Sequence, residues 1–553
     1  MSKKSSPSAA AAFDPSRRQF LGNCCAGVGM TGMLSALSSL RLTGAAASPT
    51  NGPVTPKTAG AVASDYKALV CVFLGGGNDA NNLIIPTGSG YAGYAAARSN
   101  LAIPSASVLS LSPKTTDGRT FGLHPSMADF NNLFGSGKAA LLANVGTLVY
   151  PTTRAQYTTN SVPLPPQLFS HSDQTVQWHH SVPDRPAVTG WGGRVADLVN
   201  AFNTNNRISM SVSLAGTNFF QVGSKVSQYA VTNNGAVTFA GTTGGNNALS
   251  YQAQRDLFNA TQPGLFDTAF AGISSSSITN SDFLNTTLAT APALATVFPT
   301  TNLGNQLRMA ARLIAASSSL NLKRQVFFVQ IGGWDTHSAQ LDNTAPVMGS
   351  HAGLLQQVSQ GLNAFYNATV ELGAANQVTT FTASDFGRTY RSNGDGSDHG
   401  WGNHHMIVGG AVKGGDIYGK MPNLTIGGPD DTAQGRWIPT TSVDEYAATL
   451  ATWFGVSATE LPTVLPNIGR FAKSNLGFVE SRAGSPTRPR ERNRPGSPRA
   501  RVLETLRPTP AYPLSHEIPA PPCAAPRPRG SPPPRILRAA PCRRLFRRDE
   551  RQR

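Results

Sequence analysis

The chain has 553 residues and a formal net charge of +17, but the charge is unevenly placed: residues 481–553 hold 18 arginines against five acids, residues 1–46 hold five basic residues against Asp14, and residues 47–480 balance to zero. A nucleic-acid-binding function is not read from that charge, because the central body has no basic excess with which to meet phosphates. Only Cys71 of the five cysteines lies in the body, which excludes a disulfide within it and leaves burial of a large core as the source of stability, in one large α/β domain with insertions or in two or more average domains.

At the N-terminus, Arg17 and Arg18 precede Phe20, Leu21 and a weakly apolar run rich in Gly and Ser, with small residues at Ala45 and Ala47. Residues 1–47 read as a twin-arginine export signal, which predicts passage through the twin-arginine translocase to a periplasmic or extracellular location. That route suits proteins that take up a metal or cofactor before crossing. The run is too short and too polar for a stable membrane span. Residues 48–65, rich in Thr, Pro, Ala and Gly, read as a flexible leader.

The body begins with "YKALVCVFLGGGNDANNLIIP", an apolar run from Ala68 to Leu74 that ends in glycines, Asn78 and Asp79. A run apolar on both faces suits a central strand of a parallel sheet, with its polar cluster at the carboxyl end where ligand sites gather. A second strand is expected over Ala139–Val145. Ser170, His171 and Ser172 then stand ahead of a helix, either as caps or as catalytic groups at a helix N-terminus. Residues 200–300, with abundant Asn, Thr, Ser and Gly and short β-like runs such as "ISMSVSLAG" and "NFFQVG", read as a peripheral polar insertion. Strands are expected at Val326–Ile331, followed by Asp335 and His337, and at Val378–Thr382, followed by Ser384 and Asp385. Between them Leu354, Leu355, Val358, Leu362 and Phe365 form the apolar stripe of a crossover helix. Residues 384–415 then combine three carboxylates and three histidines with nine glycines. The body is expected to end near residue 480. The Arg/Pro-rich remainder, with 16 of the 40 prolines, is expected to be disordered. It reads either as a basic arm for anionic surfaces or as sequence translated out of frame past the natural stop.

Asp79, Asp335, His337, Asp385 and His399, with His404 as a sixth, make a metal-binding set of carboxylates and imidazoles without thiolates, for a divalent ion such as Zn, Mn, Ca or Mg. In an extended segment the Asp335-x-His337 spacing puts both side chains on one face, and glycine-rich backbone lets His399 and His404 turn toward the same point. Arg388 is a candidate clamp for an anionic oxygen pair. A nicotinamide cofactor is not indicated, since the glycine spacing after "GGGND" and the acidic ribose-binding residue are missing.

The motifs "LVCVFLGGGNDANNLIIP", "LHPSM", "GWGGR", "FVQIGGWDTHSAQ" and "SDFGRTYRSNGDGSDHGWGNHHMIVGGAVKGG", in this order, resemble the twin-arginine-exported domain-of-unknown-function family fifteen hundred and one, over roughly residues 66–479. That family is grouped with alkaline-phosphatase-like and sulfatase-like metalloenzymes. The resemblance implies a central, mostly parallel sheet with helices on both faces and one or two metals at the strand ends. It implies that Asp79 matches a metal-bridging aspartate, Asp335 and His337 the next ligand pair, Asp385 the aspartate of an Asp-His pair, and His399 the late histidine. Position 386 is Phe where that pair has His. The implied function is metal-dependent hydrolysis of a small anionic phosphate or sulfate ester, with Ser170, His171 and Arg388 as catalytic candidates. The alternative is a non-catalytic exported binding or assembly protein that keeps a degenerate form of the fold.

Overall fold

The computed structural model describes residues 62–480 apart from 205–206, 239–244, 343–344 and 346. The export signal, the leader up to residue 61 and the basic tail lie outside the described residues.

The elements that matter for function are, in chain order, β1 (Lys67–Leu74), β2 (Ala139–Gly146), α1 (His171–His180), α2 (Trp191–Val199), β3 (Ser211–Ser213), β4 (Tyr229–Thr232), β5 (Gly235–Ala236), α3 (Gly245–Asn259), α4 (Leu265–Thr290), α5 (Asn302–Ala315), β6 (Arg324–Ile331), α6 (Ser350–Glu371), β7 (Val378–Ser384), β8 (Asn403–Gly409), β9 (Ile417–Gly419), β10 (Thr441–Ser442) and α7 (Val443–Phe454). Together the strands make one ten-stranded sheet in the order β9-β2-β8-β7-β1-β6-β3-β4-β5, with β10 also paired to β2. β1 is parallel to both β6 and β7, and β6 is parallel to β3, whereas β8 runs antiparallel to β7 and β2. This is the mostly parallel central sheet expected from the doubly buried runs.

Phe73, Phe328, Phe381 and His405 project from the sheet into a ring cluster with Trp178 and His179 of α1, Trp191 of α2 and Tyr446 of α7. α5 and α6 pack on each other as a second helical layer. The predicted stripe of α6 is where the packing occurs: Leu355, Val358, Leu362 and Phe365 are buried. Val62 and Ala63, within the leader expected over residues 48–65, pack against the main core.

Residues 200–300 differ from the expectation. β3 does form within "ISMSVSLAG", but it pairs with β6 and so continues the main sheet, while "NFFQVG" carries no strand. Most of residues 245–290 is helical, as α3 and α4. The apolar period that builds α4 is sparse, Ile278, Phe283, Leu284 and Leu288 being buried among Ser, Thr and Asn. Those polar residues favour turns and caps over helix interiors, so composition masked a helix that packing supports. Among the described residues no helix is long and apolar enough to cross a membrane.

The register decides where the ends of the strands meet. Leu74 pairs with Ser384 on one side and with Ile331 on the other, so β1, β6 and β7 finish flush. Three loops, starting at Gly75, Gly332 and Asp385, therefore leave the sheet side by side.

Asp444, in the first turn of α7, is buried, and its Oδ1 has no hydrogen-bond partner. Burial pushes its carboxyl up to about 7. A carboxyl raised in the folded state contributes stability below its ordinary pKa and loses it as pH rises toward the folded value. Asp444→Asn, which does not titrate, should gain about 1 to 3 kcal/mol relative to wild type between pH 5 and pH 8. Urea unfolding at the two pH values measures this, and an unchanged difference would show that the carboxyl does not titrate there.

Candidate functional site

The β6 loop crosses the β1 loop at close quarters. A Cβ on Gly76, whose φ is +120°, would lie 2.5 Å from the backbone nitrogen of Asp335, so only glycine lets the two loops cross there. In the same crossing the Gly76 N–H donates to both carboxylate oxygens of Asp385, at 3.1 and 3.2 Å. Behind it sits Arg388, whose side chain has no solvent exposure. Its guanidinium donates to the carbonyls of Gly77 (2.9 Å), Gly76 (2.7 Å) and Ser397 (2.5 Å) and to Oδ1 of Asp335.

Asp335 is the point on which the site converges. Its Oδ1 lies 3.2 Å from Nε2 of His337 and 3.4 Å from Nε2 of both His171 and His399. Each imidazole is oriented from behind by a separate acceptor. His171 Nδ1 is 2.7 Å from Oδ2 of Asp385, His337 Nδ1 is 3.1 Å from Oδ1 of Asp398, and His399 Nδ1 is 2.6 Å from the carbonyl of Phe169. Assigning the ring protons from these partners makes each Nδ1 the donor and leaves each Nε2 with its lone pair. The rings of His171 and His399 rest on Phe386, at centroid distances of 4.7 and 4.6 Å.

This donor set fits a cation. His171, Asp335 and His399 place one ligand atom each within 4.8 Å of one another. Nε2 of His171 is buried without a hydrogen-bond partner. The Nε2 atoms of His337 and His399 lie 2.8 Å apart, and two lone pairs facing at that distance call for a proton or a metal ion between them. Metal–ligand bonds of about 2.0–2.1 Å in a tetrahedron separate neighbouring donors by roughly 3.3 Å, close to the spacing of the three Nε2 atoms from Oδ1. The Asp335 side chain is 48% exposed, so the cluster is open on one side, as catalytic sites are and closed structural sites are not.

The charges suit that use. Burial raises the Asp335 carboxyl, but the hydrogen bond and charge of Arg388 outweigh it, and the group is held below the usual carboxylate range. The hydrogen bond that His171 donates to Asp385 raises its pKa against the opposing effect of burial, whereas burial lowers that of His399.

Of the residues nominated from sequence, the fold brings His171, Asp335, His337, Asp385, Arg388 and His399 together, in changed roles. Asp385 meets an imidazole, as an Asp-His pair requires, but the ring comes from α1 because position 386 supplies the floor instead. Arg388 has its N–H groups turned to backbone and Asp335, away from solvent, so it positions Asp335 and cannot clamp a substrate. Ser170 is adjacent to His171, and its hydroxyl donates to Asp173 at 2.6 Å rather than to an imidazole.

Asp79 and His404 are not brought to the cluster. The Asp79 carboxylate is fully buried and takes hydrogen bonds from Arg98, Gln340 and Asn81. Burial would raise it, but Arg98 keeps it below its ordinary range. Arg98 also donates to the carbonyls of Thr389 and Tyr390, so the pair ties the β1 loop to the glycine-rich segment. His404 is buried in β8, where Nδ1 accepts the Asn144 N–H of β2 at 2.9 Å, and desolvation depresses its pKa to about 4.

Sequence reasoning missed three contributors. Asp398 stood in the glycine-rich stretch beside His399 and could have been nominated. Phe386 was noted only as a departure. Phe169 acts through its carbonyl, aimed by a backbone φ of 72°, a left-handed conformation that no side-chain pattern announces.

The model of the family described as "Protein of unknown function (DUF1501)" matches residues 66–431, a span that includes every residue of the cluster. The chain belongs to this family. No curated protein matches it. Among solved structures it is similar to i-CgsB in complex with k-i-k-neocarrahexaose (11% identity, TM-score 0.31, 72% of this chain and 77% of that one). It is similar also to the PsFucS1 sulfatase from Pseudoalteromonas sp. (8%, 0.31, 72% and 69%) and to the soluble domain of lipooligosaccharide phosphoethanolamine transferase A from Neisseria meningitidis (9%, 0.31, 78% and 100%). Nothing about activity follows from likeness at that level.

Arg388→Gln removes the cation on which three carbonyls and Asp335 depend. The expected loss is about 2 to 4 kcal/mol of folding stability, measured by denaturant titration. A loss within 0.5 kcal/mol of zero would contradict the positioning role.

Proposed function

We infer that the cluster holds a divalent cation and that the protein is an exported metal-dependent hydrolase of phosphate or sulfate esters. The observation that carries this reading is the convergence of three imidazole Nε2 atoms on the Asp335 carboxylate at flush strand ends, each ring held by its own acceptor. Three imidazoles favour Zn, with Mn next. Ca and Mg, which prefer oxygen ligands, suit the set less well. An ion of this kind supplies Lewis-acid polarisation of an ester oxygen and a lowered pKa for the attacking hydroxyl or water.

The chain's own residues do the remainder. Arg388 keeps Asp335 anionic. Asp385, Asp398 and the Phe169 carbonyl fix the tautomers and directions of the three rings, and Phe386 keeps water from beneath two of them. The exposed side of Asp335 leaves an approach for a small anionic ester. The twin arginine at Arg17 and Arg18 supports export through the twin-arginine translocase to the periplasm or beyond, after the site has been loaded in the cytoplasm.

Elemental analysis of the protein purified from its export route should find about one equivalent of Zn or Mn, absent from Asp335→Ala and His399→Ala and retained by Asp79→Asn and His404→Ala. Asp385→Ala should weaken metal affinity by about 10- to 100-fold through loss of the His171 acceptor. Hydrolysis of nitrophenyl phosphate or nitrophenyl sulfate should disappear with a chelator and return with the metal. Metal-free wild type, with both ligand variants folded normally, would overturn this reading in favour of the non-catalytic binding or assembly protein.

A further inference from the structure

The sheet has a second end, away from the His/Asp cluster. β8 runs antiparallel to β7 and β2, with Val408 opposite Ala139 at one end and Asn403 opposite Val145 at the other. Residues just before β2 and just after β8 therefore lie at the edge opposite the His/Asp cluster, about 20 Å or more away for strands of this length. A cavity of about 450 Å³ opens there, lined by Lys114, Gly137, Lys138, Lys413, Tyr418 and Glu480.

Three of those residues are lysines, in a body whose charges balance to zero overall. Among the described residues none of the three ammonium groups has an acidic or hydrogen-bonding partner. Lys114 is placed by packing: its backbone N–H donates to the Gly415 carbonyl, and its side chain lies within van der Waals reach of where a Cβ would stand on Gly415 or Gly137. Asp416, the nearest acid in sequence to Lys413, is already taken by the N–H and hydroxyl of Thr115 and the N–H of Ile417. Among the described residues Glu480 is the only carboxylate lining the cavity, which leaves two positive charges in excess among them.

Lys413 N–H donates to the Phe478 carbonyl and Glu480 N–H to that of Ala411, so Phe478–Glu480 are held beside the turn at Lys413. Like charges gathered around a shared cavity repel one another, and an anion bound among them removes the repulsion and gains a charge-assisted hydrogen bond from each ammonium.

We propose that this cavity binds a multiply charged oxyanion, a phosphate or sulfate group, at the sheet edge opposite the His/Asp cluster. The group is either a free ion or a substituent on an anionic polymer, and because the cavity faces away from the cluster it serves to dock the protein or to sense the ion rather than to hold the ester being cleaved.

Isothermal titration of the full chain with inorganic pyrophosphate, and separately with a sulfated polysaccharide, tests this. The triple variant K114Q/K138Q/K413Q should bind pyrophosphate at least tenfold more weakly than wild type, with the metal content of the cluster unchanged. Glu480→Gln should bind it about threefold more tightly, and this single change does not depend on the triple variant folding. An equal weakening toward the polysaccharide identifies a polymer-borne group as the source, and an effect confined to pyrophosphate identifies the free ion. Pyrophosphate affinity unaltered by both substitutions, or no binding by wild type, would overturn the proposal.

Discussion

The guanidinium of Arg388, out of contact with solvent, donates to the carbonyls of Gly76, Gly77 and Ser397 and to the carboxylate of Asp335. A buried cation is tolerated only where its N–H groups are satisfied, and here the acceptors come from three different loops. The β1 loop, the β6 loop and the glycine-rich segment after β7 are thereby held in one arrangement. Asp335 gains from it a fixed position and a stabilised negative charge, and the three imidazoles have a stationary target.

Around that anchor the site is built in two shells with distinct demands. The inner groups need lone pairs aimed at one point, so each histidine must have its other nitrogen occupied. The acceptors doing this are deliberately unlike one another: Asp385 at the end of a strand, Asp398 in a glycine-rich loop, and a carbonyl from a residue in the left-handed region. A bulky residue there is strained by an amount of order 1–3 kcal/mol, and rigid surroundings are needed to keep it. Phe169 has such surroundings, since Arg436 lies 5.2 Å over its ring and also donates to the His399 carbonyl at 2.7 Å. The glycines answer a different need. Gly76 is present because the Asp335 backbone passes within 2.5 Å of where its Cβ would be.

The two edges of the sheet carry opposite electrostatic characters. At the carboxyl ends of β1, β6 and β7, carboxylates and imidazoles face an open approach. At the other edge, three lysines line a cavity. A balanced overall charge in the body conceals this separation, which arises because the antiparallel β8 returns the chain to the far edge and turns at Lys413 beside Lys138.

Strand positions, the crossover helix and the gathering of polar residues at strand ends were legible in the sequence, since doubly apolar runs and a helical stripe are local patterns that burial converts directly into structure. Asp335, His337 and His399 followed from residue type and spacing. The helices of residues 245–290 were not legible, because their apolar positions are thinly spaced among polar ones. Nor was the division between Asp79 and the cluster, for a carboxylate at a strand end reads alike whether it faces a ligand point or, as here, the buried Arg98. That choice depends on long-range partners: Arg98 reaching Asp79, α1 delivering His171 to Asp385, and the Phe169 carbonyl reaching His399. Sequence alone determined which chemistries were present and at which edge of the sheet they would collect. Only the tertiary structure decided which groups share a point, because convergence within 3.4 Å is set by strand register and loop crossing, and these are properties of residues hundreds of positions apart.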